Sequence, residues 1–370
     1  MKVLVAMSGG VDSSVAAARL LAAGHDVVGV TMKLWGGESD TGCCSVSDVD
    51  DARRVAQQLG IAHHVWNFGD DFEARVVGPY VDAHRRGETP NPCIECNRHL
   101  KFDRLARRAE AVGFDAVATG HHARIVERPD GTRRLARGAD TAKDQSYVLY
   151  VLGQHELART LLPVGGTTKD AVRAEAEALG LRTAAKPDSQ DVCFITSASG
   201  RRGFLEHRTG LRPGRVVDED GREVGRVPAV ELVTVGQRRG LGLAGGGAPR
   251  YAVAVDPAAA TVRVGPARDL LADDVVLDRM VWAAGPVSGR VLVQCSAHGV
   301  PRPATAEPAP RGPTAGGPPA DGPPASTGRV VVRFDEPQRR VAQGQSVVLY
   351  EGDEVAGGGI ALPPGDDATA

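Results

Sequence analysis

The first 120 residues alternate strand-like and helix-like segments, and this alternation constrains the fold more than any other feature of the sequence. Strand-like runs occur at Val3–Met7, Asp26–Met32, Ala62–Trp66 and Asp115–Thr119, and helix-like runs at Asp12–Ala23, Asp48–Leu59 and Asn97–Val112. A glycine follows each helix-like run, as is typical of helix C-termini. Strands that alternate with helices predict an α/β fold with a doubly wound, Rossmann-like parallel sheet. Ligands in such sheets bind at the carboxyl ends of the strands.

The character of the sequence changes after about residue 205. A last helix is predicted at Thr168–Leu179, and short strand-like runs then lie between Gly and Pro turns, at Arg215–Val217, Glu231–Val235, Tyr251–Asp256, Thr261–Val264, Val275–Val281, Arg329–Phe334 and Ser346–Glu351. These runs predict a small linker domain followed by a β-barrel or sandwich. Residues 301–328 hold nine of the 24 prolines and no strand-length apolar run, so they are predicted to be a flexible Pro/Gly/Ala-rich insertion. The predicted domains are therefore 1–204, 205–268 and 269–362.

Composition bounds the class of protein. A chain of 370 residues is expected to form two or three domains. The sequence has no apolar run of about 18 residues, which argues against a membrane span, and its first residues read as a strand and not as a signal peptide. Six cysteines without a signal favour a reducing, cytoplasmic location. The net charge of -2 argues against a generally basic nucleic-acid coat but leaves room for local basic patches.

The segment Ser8-Gly9-Gly10-Val11-Asp12-Ser13-Ser14 lies between the first strand and the first helix. Its glycines allow a tight turn and a close approach of the backbone to a ligand, and the helix behind it offers free N–H groups to an anion. An ordinary capped glycine turn is the alternative. The loop is not a Walker P-loop, because no Gly-Lys-Ser/Thr follows, and it lacks the dinucleotide pattern Gly-x-Gly-x-x-Gly. The whole string resembles the pyrophosphate loop of N-type ATP pyrophosphatases, which activate a substrate by adenylation.

Three cysteines, in two segments, are candidates for a chemical role. Cys93 and Cys96 form a C-x-x-C unit after two prolines, and with Asn97 as a cap, Cys96 is predicted at or just before a helix N-terminus, where a thiolate is stabilised. A structural zinc site and a thioredoxin-like pair are the alternatives. Cys193 precedes an apolar pair and taken alone reads as a core residue. An ATP loop, a helix-start thiol and a second lone thiol together suit sulfur transfer through a persulfide and a transient disulfide.

The remaining cysteines, Cys43, Cys44 and Cys295, are predicted to be inert and buried. No metal site is predicted.

Six segments taken in order resemble the bacterial tRNA-specific 2-thiouridylase family: SGGVDSS, TPNPCIECN, ATGHHARI, AKDQSYVLY, KPDSQDVCFI and VGQRRGLGL. The resemblance covers residues 1 to about 265 with specific motifs and continues more loosely through the β-rich end. It implies an enzyme that uses ATP, with Mg²⁺, to adenylate C2 of the wobble uridine of tRNA and then replaces the oxygen with sulfur. It also implies a tRNA anticodon stem-loop and a sulfur-donor protein or relay as partners.

The resemblance assigns roles to individual residues. Cys193 matches the persulfide carrier, and Cys96 matches the cysteine that releases its sulfur by forming a Cys96–Cys193 disulfide. Residues that match nucleotide contacts are Ala6, Met7, Ser8, Gly9, Gly10, Val11, Asp12, Ser13, Met32 and Gly120. Residues that match tRNA contacts are His121, Lys143, Asp144, Gln145 and Gln345.

The sequence departs from the family pattern at two places. Cys93 stands where some relatives carry an aspartate thought to assist proton transfer, so that acid is either dispensable or replaced, with Asp12 or a water as candidates. Ala297-His298-Gly299 stands where relatives offer Arg-Tyr to the tRNA, so that contact is not expected here. Two other functions compete: an amide-forming synthetase of the same superfamily, which needs neither Cys96 nor Cys193, and a tRNA-binding protein that holds ATP as a structural ligand.

Overall fold

The computed structural model describes residues 1–34, 45–188, 192–195, 200–245, 247–309 and 328–363. The first part of the chain is a repeated strand-helix arrangement. It comprises β1 (Lys2–Ala6), α1 (Val11–Ala22), β2 (Asp26–Lys33), α2 (Val46–Leu59) and β3 (Ala62–Asn67). Two longer helical stretches follow, each interrupted by π-helical turns: α3 (Gly69–Phe72), the π segment Glu73–Val77 and α4 (Gly78–Arg85), then α5 (Pro92–Cys96), the π segment Asn97–Arg104 and α6 (Leu105–Ala111).

The rest of the N-terminal half combines short strands and helices. These are β4 (Ala116–Ala118), the hairpin β5 (Ala123–Glu127) and β6 (Arg133–Arg137), α7 (Ser146–Leu149), α8 (Gln154–Ala158), β7 (Thr160–Leu161), α9 (Lys169–Ala178) and α10 (Gly200–Thr209). Local capping explains several boundaries. Ser45 and Thr168 cap α2 and α9 with their side chains, and Gly60 ends α2 in the left-handed conformation.

Strands β1, β2, β3, β4 and β7 form one parallel sheet in the order β3-β2-β1-β4-β7. The chain moves outward from β1 to β3 and then returns to the other side of β1, so the direction reverses between β1 and β4. Adjacent residues of β1 point to opposite faces, and Leu4 and Val5 belong to two separate apolar clusters. The predicted doubly wound parallel sheet is confirmed, and its switch point lies at the carboxyl ends of β1 and β4.

The C-terminal half is built from a mixed four-stranded sheet and an antiparallel barrel. The four-stranded sheet, of order β10-β11-β8-β9, contains β8 (Gly214–Val217), β9 (Glu223–Val227), β10 (Tyr251–Asp256) and β11 (Thr261–Gly265), of which β11 and β8 pair in parallel. The barrel contains β12 (Leu271–Trp282), β13 (Gly289–Gln294), β14 (Arg302–Pro308), β15 (Val330–Arg339), β16 (Ser346–Glu351) and β17 (Glu354–Ala361), and pairing of β12 with β17 closes it. The predicted C-terminal β-barrel is confirmed.

The hairpin β5–β6 joins this barrel although it belongs to the N-terminal half of the chain. Strand β6 pairs with β17 at Ala136 and Glu354, and Arg128 donates to Glu354 at 2.8 Å. The N-terminal and C-terminal parts therefore share one hydrogen-bonded sheet, which the division at residues 204 and 268 did not anticipate.

Two sequence predictions about strands are wrong. Glu231–Val235 contains the 3₁₀ turn Val230–Leu232 in place of a strand, because the buried carboxylate of Glu231 accepts from the backbone and side chain of Arg212. Residues Arg302–Pro308 form a barrel strand in place of the start of a flexible insertion, and Ala304 and Ala306 are its buried residues. Its hydrogen bonds to two neighbours stabilise it despite its prolines.

The ends of the proline-rich segment lie side by side, because the backbone N–H of Ala309 donates to the carbonyl of Arg329 at 2.8 Å. Residues 310–327 lie outside the described residues. Within the part of the chain that the structure describes, no helix is long and apolar enough to cross a membrane.

Candidate active site

The loop after β1 has a conformation that requires glycine. Gly9 has φ +73, and a Cβ there would lie 2.3 Å from the carbonyl oxygen of Asp48 at the start of α2. The hydroxyls of Ser13 and Ser14 donate to the carbonyl of Gly10, at 3.2 and 2.8 Å, and fix the turn into α1. The loop therefore presents the N-terminus of α1, with its free N–H groups, at the switch point of the sheet.

The nucleotide residues suggested by the resemblance meet at this edge of the sheet. Ala6 ends β1 and Met7 follows it, Met32 lies near the end of neighbouring β2, and Gly120 follows β4 on the other side. Gly120 packs directly on the loop, because a Cβ there would lie 2.5 Å from the backbone nitrogen of Ser13. The side chain of Met32 is buried in the apolar cluster around Leu4. Contact of these residues with a nucleotide stays a prediction.

Asp12 anchors an ionic network that sequence reasoning missed. Its carboxylate accepts from Lys169 Nζ at 2.7 and 2.8 Å and contacts His122 Nε2 at 3.0 Å. Lys169 also contacts Asp188 at 2.8 Å, and Asp188 contacts Lys143 at 2.7 Å. Asp12, His122, Lys143 and Asp188 all lie in the motifs SGGVDSS, ATGHHARI, AKDQSYVLY and KPDSQDVCFI, but Lys169 lies in none of them and no pattern indicated that these residues meet.

The network keeps both carboxylates ionised. Burial alone would raise the pKa of Asp12, but hydrogen bonds from His122 and Lys169 outweigh it and lower the pKa. Burial likewise opposes ionisation of Asp188, yet bonds from Lys143 and Lys169 lower its pKa to about 2. Asp12 is therefore a poor proton donor near neutral pH and a weak candidate to replace the acid missing at Cys93.

The position predicted for Cys96 is wrong. Asn91 caps the helix, since its Oδ1 atom accepts from the backbone N–H of Cys93 at 3.0 Å, and Pro92 occupies the first helical position. Cys93, which is exposed, therefore lies in the first turn, and Cys96 is the fifth helical residue and buried. The stabilisation of a thiolate by a helix N-terminus applies to Cys93 and not to Cys96.

Cys96 and Cys193 belong to one apolar cluster beneath the parallel sheet, in which Cys96 is buried and Cys193 partly buried. Phe194, directly after Cys193, packs edge-to-face against Phe72 and Tyr80, with ring centroids 5.7 and 5.3 Å away. The aromatic contacts anchor the Cys193 segment on the same cluster that holds Cys96. The structure thus brings the two predicted thiols to one region.

Glu95 lies between the two cysteines of the C-x-x-C unit and was not singled out from the sequence. Its carboxylate contacts His99 Nε2 at 3.2 Å and Arg98 at 3.6 Å. Burial would raise the pKa of Glu95, but His99 and Arg98 lower it. The charge beside Cys96 is therefore a paired carboxylate.

A cavity of about 570 Å³ lies where the helical region, the Cys193 segment and the barrel meet. The cavity is lined by Val192 and Ile195, which lie on either side of Cys193 in the chain, and by Asn91 and Pro92, which precede Cys93. Gln345 and Ala297 line it from the barrel. The remaining lining residues are Tyr80, His84, Thr89, Pro90, Tyr147, Gly200, Arg201 and Ser296. Gln345 is thus the suggested tRNA contact that lies beside the thiol-bearing segments.

The other suggested tRNA contacts are held by bonds within the protein. Asp144 accepts from Arg137, the backbone of Gly138, and both the backbone and the hydroxyl of Ser146, at 2.8 to 3.0 Å. Gln145 accepts from the backbone of His122 at 2.8 Å. Asp144 therefore holds the loop between β6 and α7 in shape.

His121 contacts the Thr119 hydroxyl through Nδ1 at 2.7 Å. Burial, with Lys101 and His122 nearby, holds the pKa of His121 well below its usual range, so the ring is neutral. Contact of His121, Lys143, Asp144, Gln145 or Gln345 with tRNA stays a prediction.

Cys295, which was predicted to be inert and buried, is partly buried. Burial raises the pKa of Cys295 to about 12, which suits the predicted inert thiol. Cys43 and Cys44 lie outside the described residues. Among the residues that the structure describes, no group of three or more His, Cys, Asp or Glu side chains is arranged to hold a metal ion.

A parallel sheet with a Ser-Gly-Gly loop and a helix N-terminus at its switch point is typical of the class of nucleotide-binding α/β proteins. The family models that match the chain agree with the architecture. They describe a tRNA methyl transferase HUP domain over residues 1–197, a tRNA methyl transferase PRC-barrel domain over residues 202–266 and an aminomethyltransferase beta-barrel domain over residues 323–361.

Full-length relatives narrow this class to one family. The tRNA-specific 2-thiouridylase MnmA of Beutenbergia cavernae is 48% identical over 381 residues, covering 100% of this chain and 97% of the relative. The enzymes of the same name from Chloroflexus aurantiacus and Mycolicibacterium smegmatis are each 47% identical, over 98% and 96% of this chain and 98% of each relative. The chain belongs to the tRNA-specific 2-thiouridylase family.

Proposed function

We propose that this protein catalyses the ATP-dependent 2-thiolation of the wobble uridine of tRNA, with Cys193 as the sulfur carrier and Cys96 as its partner thiol. The observation that carries the proposal is the ionic connection between the nucleotide loop and the Cys193 segment. Asp12 of the loop shares Lys169 with Asp188, which lies five residues before Cys193, and Cys193 shares an apolar cluster with Cys96. An amide-forming synthetase has no use for two thiols in one cluster, one of them five residues from a carboxylate that shares Lys169 with the nucleotide loop.

In the first step the nucleotide loop holds ATP, which enters with Mg²⁺ as its counter-ion. The backbone N–H groups from Ser8 to Ser13, at the start of α1, bind the phosphate oxygens, and the helix dipole stabilises their charge. The C2 oxygen of the uridine attacks the α-phosphorus, and pyrophosphate leaves. The C2 oxygen thereby becomes part of a good leaving group, AMP.

In the second step Cys193 carries a persulfide. The Cys96 thiolate attacks Sγ of Cys193, the bond to the terminal sulfur breaks, and its electron pair leaves with that sulfur as hydrosulfide. Hydrosulfide attacks C2, and AMP departs with the original oxygen. The same products form when the terminal sulfur attacks C2 before the disulfide closes. An external thiol then reduces the Cys96–Cys193 disulfide, and a sulfur-donor protein or relay reloads Cys193.

The cavity between the Cys193 segment and the barrel offers a place for part of the anticodon stem-loop. Sequence-specific RNA recognition uses unstacked loop bases, and a cavity of about 570 Å³ accommodates one. Gln345 supplies an amide donor and acceptor in its wall, and Arg201 supplies a cation for a phosphate.

The test is thiolation of tRNA transcripts by the full-length protein with ATP and a persulfide donor, followed by retardation on a mercury-containing gel. ATP-dependent retardation is expected for the wild type and for Cys295→Ser, the matched thiol control. Cys193→Ser is expected to lose it, and Cys96→Ser is expected to lose most of it. Unchanged thiolation by Cys193→Ser would refute the assignment of the carrier. Release of AMP and pyrophosphate that is unaffected by serine at both positions, with no retardation, would favour an amide-forming synthetase.

A further inference from the structure

The segment Ala184–Asp188, which leads to Cys193, is clamped at several points. Arg173 on α9 donates to the carbonyls of Ala184 and Lys186 at 2.7 and 2.9 Å. Lys186 Nζ contacts Asp48 at 2.6 Å and Asp51 at 2.7 Å, both on α2. The same Asp48 packs with its backbone against Gly9 of the nucleotide loop. One side of the segment is therefore fixed to the helix that supports the loop.

Asp188 fixes the other side through three cations. Its carboxylate contacts Lys143 at 2.7 Å, Lys169 at 2.8 Å and Arg173 at 2.8 Å. Of these, the Lys169 side chain is 7% exposed, whereas Lys143 is 39% and Arg173 30% exposed. A buried ion pair is costly to break, because removing one partner leaves an uncompensated charge away from water. Lys169 is therefore the strongest single link in the cluster.

Lys169 joins Asp188 to the nucleotide loop, because the same Nζ atom contacts both oxygens of Asp12 at 2.7 and 2.8 Å. Asp140 lies at the same cluster, since its carboxylate accepts from the backbone N–H of Lys169 at 2.9 Å, so three cations face three carboxylates. Because the Lys169 ammonium is shared by Asp12 and Asp188 beside the loop, phosphate oxygens bound there compete with both carboxylates for it.

The chain from Asp188 to Cys193 is too short to be independent of this link. Five residues span at most about 17 Å when fully extended, so the position of Asp188 limits where the Cys193 thiol can lie. Phe194 is anchored by Phe72 and Tyr80 directly after the thiol. The thiol is thus positioned by an ionic anchor on one side and an aromatic anchor on the other.

We propose that Lys169 and Asp188 are positioning residues that couple occupancy of the nucleotide loop to the position of the Cys193 thiol. The expected consequence is that sulfur is delivered only when the loop holds a nucleotide, and this consequence rests on the proposed function. Through Lys169, a bound triphosphate changes the bonding of Asp188 and hence the exposure of Cys193. The residues that bind ATP and those that bear sulfur then work in sequence although they lie far apart in the chain.

The test compares Asp188→Asn and Lys169→Met with the wild type in the full-length protein. Arg182→Gln is the matched control. Arg182 lies just before the segment Ala184–Asp188 and pairs with Asp51 on α2 at 3.0 Å, but it contacts neither Asp12 nor Asp188 in the ion pairs described. The first readout is the rate at which iodoacetamide alkylates Cys193, followed by mass spectrometry of its peptide, with and without a non-hydrolysable ATP analogue. The second readout compares two steps of the reaction in each variant. The size of the pyrophosphate burst reports adenylation, and retardation on the mercury gel reports thiolation.

The wild type and Arg182→Gln are expected to change their alkylation rate when the analogue binds. Asp188→Asn and Lys169→Met are expected to lose that response, and Lys169→Arg to restore part of it. In Asp188→Asn, thiolation is expected to fall by about 100-fold, the typical cost of misplacing a reacting group by about 1 Å, with the pyrophosphate burst largely retained.

An alkylation response that persists in both variants, or that is absent in the wild type, overturns the proposal. So does a parallel fall of pyrophosphate release and thiolation in Asp188→Asn, because a merely structural role affects both steps together. Failure of the proposed function has a different signature: the wild type then releases pyrophosphate without thiolating tRNA, while the alkylation response still tests the coupling.

Discussion

Gly120→Ala is expected to impair the nucleotide loop through a steric conflict of known geometry. A Cβ at this position lies 2.5 Å from the backbone nitrogen of Ser13, 2.7 Å from the carbonyl carbon of Asp12 and 2.9 Å from its Cβ atom. Two of these are backbone atoms at the start of α1, so no flexible side chain can move aside. The loop and the turn after β4 must separate by about half an ångström merely to reach 3.0 Å, a distance below which real Cβ contacts essentially never fall.

Overpacking of this kind costs about 1–3 kcal/mol. If the loop moves to relieve the conflict, the cost appears in the affinity for ATP, as a weakening of about 5- to 150-fold. If the loop stays in place, the cost appears in the free energy of unfolding. Both quantities are measurable on one preparation, by calorimetric titration with a non-hydrolysable ATP analogue and by urea unfolding.

The matched control is Gly166→Ala, because a Cβ at Gly166 meets no atom within 4 Å. The control is expected to bind the analogue like the wild type and to unfold at the same urea concentration. A Gly120→Ala variant with unchanged affinity and unchanged stability would refute the packing argument and, with it, the claim that Gly120 forms part of the wall of the nucleotide site.

Three further predictions concern charge, thiol chemistry and the proline-rich segment. Because the pKa of Asp188 is lowered from 3.8 to about 2 by folding, its contribution to stability is fully present above pH 3.8 and is lost as the pH falls through 2. Urea unfolding is therefore expected to show a stability gap between the wild type and Asp188→Asn at pH 5 that shrinks towards pH 2, and a constant gap would contradict the ion-pair assignment. Cys295, whose pKa is raised to about 12, is expected to resist iodoacetamide at pH 8 in the folded protein, and rapid labelling of its peptide would contradict the raised pKa. Replacing residues 310–327 by an Asn-Gly turn is expected to leave thiolation within a few-fold, since Ala309 and Arg329 are already hydrogen-bonded, whereas deletion of Arg302–Pro308 removes a paired strand and is expected to unfold the barrel by circular dichroism.

Local sequence patterns were sufficient for the elements of the parallel sheet. The alternation of apolar strands with capped helices predicted β1, α1, β2, α2, β3 and α9 close to their observed limits. The glycine-rich loop was found for the same reason, since Gly9 needs a left-handed conformation within a single turn. The start of the helix that carries the cysteines was also present in the sequence. Asn91 followed by Pro92 is a stronger start signal than Asn97, because proline is favoured at the first helical position.

Other features had no local signal. Strand β14 was taken for part of an insertion because only two small residues, Ala304 and Ala306, are buried in it, and its stability comes from hydrogen bonds to β13 and β15. The pairing of β6 with β17 joins residues 136 and 354, and no pattern within either segment indicates the partner.

The sequence by itself determined the fold class and, through the resemblance, the family, while the nucleotide loop and the two thiols stay predictions. Only the tertiary structure decided how these parts are joined. Lys169 lies 157 residues from Asp12 in the chain. The interaction energy of either charge depends on which groups the folded chain places within about 4 Å of it and on how far water is excluded. Periodicity and capping act over a few neighbouring residues, so they can be read in order along the chain. Ion pairs, cavities and barrel closure act across the chain, so they appear only when the chain has folded.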